Sequence, residues 1–127
     1  MADLNMILSN IRDLVDEYEK LITRLKYIKE SSRIDPDKVD TLIPRLNRIY
    51  NKTVNNLREF KNTDLNINND YIKYLKTYYN YLIMISIPYT IDLLEEIYKI
   101  LANSSSFNNR SKDIIMYIEK FRGIINS

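Results

Sequence analysis

The side chains with the clearest acid-base chemistry in this chain are two groups of carboxylates, Asp13, Asp16, Glu17 and Glu19 in one stretch and the adjacent pair Glu95 and Glu96. Carboxylates on facing helices can build a di-metal centre, but that chemistry needs Glu-x-x-His motifs projecting inward, and the sequence contains no His. The spacings Asp13 to Glu17 and Glu17 to Lys20 make surface neighbours on a helix. Both groups therefore read as solvated ion-pairing residues.

Other missing residue types close further routes. Without Cys or His, thiolate or imidazole metal sites, disulfides and His-based triads cannot be assembled. A single glycine, Gly123, rules out both a phosphate-cradling P-loop and a G-x-G-x-x-G dinucleotide turn. The expectation is a protein that is not an enzyme, with no catalytic residues, no cofactor and no bound metal.

Two surface patterns remain as candidate binding sites. Tyr71, Tyr74, Tyr78 and Tyr81, with Tyr89 beyond them, recur at helical spacing. Tyrosine has a rigid apolar ring with a polar tip and is enriched where surfaces are wet when free and buried in a complex, so this row is the candidate protein interface. The plainer alternative is that the rings edge the core, with their hydroxyls in water. On the second helix Arg45, Arg48 and Lys52 share a face, extended by Arg58 and Lys61. Such a row can meet phosphates without reading sequence, yet a net charge of only +2 suits a solvated helix face equally well. Lys20, Arg24, Lys73 and Lys76 would enlarge the patch if the fold brought them together.

The elements that must position these residues follow from apolar periodicity. Leu4, Ile7, Ile11, Leu14, Tyr18, Leu21, Leu25 and Ile28 recur at threes and fours, the seam of a long helix packed in a bundle. Leu8, Val15 and Ile22 add a third row, so this helix should touch more than one neighbour. Asp35-Pro36 is a strong helix start, and the apolar row from Val39 to Phe60 is interrupted by Pro44. Either the second helix kinks there or Thr41 is its true N-cap; a short turn followed by a helix to about Lys61 is the preferred expectation.

Residues 62–70 form a loop rich in cap and turn formers. A third helix follows, with Ile72, Leu75, Tyr79, Leu82 and Ile83 on one stripe and the tyrosine row about 110° away. Pro88 bends or divides it, and Ile91, Leu94, Ile97, Tyr98 and Leu101 continue the rhythm with Glu95 and Glu96 outside. After a loop at 103–109, a last helix from Ser111 or Lys112 to about Ile125 carries Ile114/Ile115, Ile118, Phe121 and Ile125. The fold expected is all-α, a four-helix bundle forming one domain over residues 1–127, with the third helix kinked at Pro88, or five helices if Pro88 breaks it.

The compact all-α layout, the Ile/Asn/Tyr/Lys-rich composition and the tyrosine-flanked third helix resemble the four-helix-bundle coat proteins of spindle-shaped and two-tailed archaeal viruses, and the related bundles that inhibit RNA polymerase. No diagnostic motif carries the likeness, so no residue role transfers. The resemblance implies a viral structural protein that self-assembles, located in the virion or the host cytoplasm. Its partners would be itself or another protein. The alternative is a module that binds nucleic acid or RNA polymerase through the basic face. The N-terminus lacks a signal-peptide pattern. The longest uncharged run, residues 77–91, is shorter than the roughly 20 apolar residues of a bilayer span, so it is read as core and no membrane span is expected.

Overall fold

Three of the helices start where a short polar side chain takes up a free backbone N–H. In the computed structural model, which describes residues 3–31, 33–64, 69–103 and 109–126, α1 runs Leu4–Glu30 with Asp3 accepting from Asn5 N–H at 3.2 Å. Helix α2 runs Pro36–Lys61, with Asp35 accepting from Asp37 N–H at 3.0 Å and Pro36 in the first turn. Helix α3 runs Asp70–Tyr81 behind an Asn69 cap, α4 runs Ile87–Ala102 and α5 runs Asn109–Ile125. The expected loops at 62–70 and 103–109 lie partly outside the described residues.

Helix α2 corrects the expectation of a turn before Thr41. It is continuous from Pro36, with Pro44 inside it. Asp35 and Pro36 already provide a complete start, and Pro44 is exposed, so water can reach the Asp40 carbonyl that loses its i+4 donor. A mid-helix Pro costs about 3 kcal/mol relative to Ala in host helices. Part of that is relieved by solvent and by the stiffer unfolded chain. Pro44→Ala should therefore raise the unfolding free energy by about 1 kcal/mol, read from urea titrations; a loss of stability would contradict this account.

The third helix stays helical through Pro88. Between α3 and α4 lies one π-helical stretch, Leu82–Ser86, closed by the Ile87 N–H donating to the Leu82 carbonyl. Proline at position 88 has no N–H and its ring crowds the carbonyl four residues back. A wider i→i−5 turn just upstream gives that ring room. The irregularity therefore sits before Pro88, and Asp70 to Ala102 stays helical. Among the described residues there are thus four helices, the third made of α3, the π turn and α4, and no strand.

Side-chain contacts set the directions. Glu19 meets Tyr81, Lys26 meets Tyr89 and Lys29 meets Glu96, so α1 and the α3–α4 helix run parallel. Asp40 meets Arg110 and Tyr50 meets Phe121, so α2 and α5 also run parallel. Tyr18 meets Thr53 and Arg24 meets Thr41, which makes α1 and α2 antiparallel. Neighbours in space are α1–α2, α2–α5, α5–α4 and α4–α1, a closed ring of four helices in the upper half.

The shorter α5 does not reach the lower half, and the core divides accordingly. The main cluster carries the predicted α1 seam from Leu14 to Ile28 together with α2, α4 and α5. A second, small cluster of Ile7, Ile11, Phe60 and Leu75 fills the three-helix end. There Phe60 stacks on Tyr79 with centroids 4.0 Å apart. On α5 the core position is Ile124, with Ile125 half-buried and Ile115 exposed.

Candidate interaction surfaces

The tyrosine row lies along the edge where α3 and α4 meet α1, and its members have different surroundings. Tyr78 is half-buried against both core clusters. Tyr81 donates its hydroxyl to Glu19 at 2.9 Å, and this bond raises its pKa above the usual phenol value. Tyr89 has the Lys26 ammonium 5.0 Å from its ring centre. Tyr71 and Tyr74, at 44% and 58% exposure, have the most open surroundings of the row.

Met84 at 74% exposure and Ile85 at 48% extend this apolar strip through the π turn. Both lie in the uncharged run that was read as core. Helix α3 packs on α1, touching α2 chiefly through the Phe60–Tyr79 stack. That leaves a wide arc of the segment uncovered.

The basic row on α2 is not brought together as a unit. Lys52 donates to Glu17 of α1 at 2.6 Å, which turns one predicted contact into a helix-to-helix ion pair. Arg45 is half-buried, with its Nε shielded and unpartnered, and Arg48 is exposed on the same helix. Arg24 donates to Thr41, while Lys73 and Lys76 lie on the outer face of α3. Arg58 and Lys61 do meet another cation, Lys120 of α5, at a groove of about 560 Å³ between the last turns of α2 and α5.

Val54, Leu57 and Ile124 line the groove, with Tyr50 at its side. Its one acid, Glu119, is held by Arg122 at 3.0 Å. Lys120 sits over both Tyr50 and Tyr117, at 5.1 and 5.3 Å from their ring centres. Lys120 and Gly123 were not among the predicted site residues, because their nearness to α2 depends on packing between distant segments.

The carboxylates act as fasteners. Glu96 pairs with Lys29 at 2.6 Å, a bond that raises the lysine pKa. Glu95 pairs with Arg122. Asp40 accepts from Arg110 through both oxygens, at 2.8 and 3.0 Å, and this bidentate bond holds its pKa below the usual range. Asp13, Glu17 and Glu59 border a polar cleft of about 260 Å³ between α1 and α2. Among the described residues no three His, Cys, Asp or Glu side chains converge to hold a metal ion. Comparison with protein families, curated proteins and solved structures gives no match. The surfaces must therefore be weighed on their own chemistry. Among the described residues, no helix is long and apolar enough to cross a membrane.

Proposed function

We propose that this is a non-enzymatic helical-bundle protein that works through protein–protein contact, and that the outer edge of α3 is where a second copy binds. The observation supporting this is the set of exposed side chains Tyr71, Tyr74 and Tyr81 on α3, Met84 and Ile85 in the π turn and Tyr89 on α4, with α3 itself packed mainly on α1. Exposed apolar patches of a few hundred Å² on small proteins commonly mark contact sites. Tyrosine suits such a face because it stays soluble when unpartnered.

Self-assembly of coat type, in a virion, is the form of this reading that the compositional resemblance favours. It requires contacts that repeat into extended particles, whereas a self-complementary pairing would stop at a dimer. The alternative, nucleic-acid or polymerase binding through α2, has less to build on, because Lys52 is paired and Arg45 is half-buried.

Sedimentation velocity over a wide concentration range tests the proposal. The parent protein should associate as concentration rises. Tyr74→Lys combined with Met84→Lys should weaken association at least tenfold, the effect of removing a contact worth about 1.4 kcal/mol. A parent that stays monomeric at the highest attainable concentration would rule out self-assembly through this face.

A further inference from the structure

The α2–α5 groove lies across the helix ring from the tyrosine strip and is independent of it. In the upper half of the molecule four helices enclose the core. Beyond Ile125 of α5, the last turns of α2 have no helix packed on that side among the described residues. Its floor is apolar, and Arg58 and Lys61 on its rim have no ion pair among the described residues.

Gly123 adds a second observation. It is the only glycine in the chain, it lies within a helix and lines this groove, and its backbone does not adopt positive φ. A Cβ built there meets no atom within 4 Å. Neither backbone conformation nor internal crowding requires glycine at this position, and glycine weakens a helix interior. What it does provide is bare backbone in the groove wall, which lets another helix come close.

We infer that the groove is a docking site for an acidic amphipathic helix of another protein, which packs its apolar face over Gly123. An apolar face fits the Val54–Leu57–Ile124 floor, and flanking carboxylates fit Arg58, Lys61 and Lys120. This is helix-in-groove recognition. A nucleic-acid strand fits less well. The rim cations would take phosphates as readily as carboxylates, but the apolar Val54–Leu57–Ile124 floor would then stay uncovered, and the Tyr50 ring that would stack on a base is already covered by Lys120.

The test uses fluorescence anisotropy with three labelled probes: a helix-forming peptide with Leu along one face and Glu on both flanks, the same peptide with Lys in place of Glu, and a single-stranded oligonucleotide. The Glu peptide should bind, and the Lys peptide should bind at least about tenfold more weakly. Gly123→Phe should fill the groove and reduce Glu-peptide binding by a similar factor without lowering the melting temperature. If that variant does not fold, Arg58→Glu with Lys61→Glu, both at exposed positions, should give the same loss. The Tyr74→Lys and Met84→Lys changes should leave peptide binding intact, which separates this site from the assembly face. No binding of the Glu peptide, equal binding of the Lys peptide, indifference to both groove variants, or displacement of the peptide by the oligonucleotide would each overturn the inference.

Discussion

Phe121→Ala is expected to lower the unfolding free energy by about 3 to 5 kcal/mol, the usual range for emptying a fully buried aromatic site. Phe121 has no exposed surface. It meets Tyr18 of α1 and Tyr50 of α2 edge-on, with ring centres 6.3 and 5.9 Å away. Such pairs add roughly 0.5 to 1.5 kcal/mol beyond the area they bury. One side chain from the shortest of the four helices thus ties α5 to two others. Urea titration of the variant measures the loss, and a change below about 1 kcal/mol would show that the site collapses without a cavity. Phe121→Leu, which keeps most of the volume, should cost clearly less.

A second expected result concerns a polar relay buried in the core between α1 and α2. Tyr18 and Thr53 have essentially no exposed surface, and their hydroxyl oxygens lie 2.7 Å apart. Thr53 donates its proton to the Ile49 carbonyl at 2.7 Å, so Tyr18 must be the donor in the pair. Thr53→Val leaves the Tyr18 hydroxyl buried without an acceptor and should cost about 2 kcal/mol. Tyr18→Phe leaves Thr53 still bonded to Ile49 and should cost about 1 kcal/mol. The double variant, in which no buried donor is stranded, should be more stable than the sum of the two losses implies. Strict additivity in this cycle would mean that the two hydroxyls do not bond.

The same burial gives a pH signature. Desolvation pushes the Tyr18 phenol well above its ordinary value of 10.0. Above pH 10 the unfolded chain releases this proton while the folded protein retains it, so folding stability falls as pH rises. The slope from this residue is about 1.4 kcal/mol per pH unit. Its stabilising contribution is fully present below pH 10. Tyr18→Phe should flatten the alkaline limb of stability against pH by up to that slope, and an unchanged limb would contradict the burial.

The helices were legible because burial leaves a periodic trace. Every α1 seam residue from Ile7 to Ile28 is buried, and Asp35-Pro36 marks the start of α2. Pro44 misled because the cost of an exposed proline is small enough for tertiary packing to override. The π turn left no periodic trace. From Leu82 on the buried positions crowd together, Leu82, Ser86, Ile87, Thr90, Ile91, Leu93 and Leu94, and two of them, Ser86 and Thr90, are polar, so apolar spacing alone does not mark the wider turn. The surfaces were less legible. Nothing local marks the pairing of Lys52, because its partner Glu17 lies 35 residues away in the chain. The groove brings Arg58 beside Lys120 and Gly123 only once α5 has been laid along α2, and no local pattern encodes that.

The division of the interior into two clusters has a mechanical consequence. The lower end depends on four buried side chains, Ile7, Ile11, Phe60 and Leu75, so breaking it open sacrifices little of the total cohesion. The upper ring holds its shape meanwhile. Tyr71 and Tyr74 on one edge and Phe60 and Lys61 on the other belong to this softer end, while Leu57 packs in the main cluster. The molecule can therefore adjust to an incoming surface with one end, as a hand closes on a wrist that stays rigid.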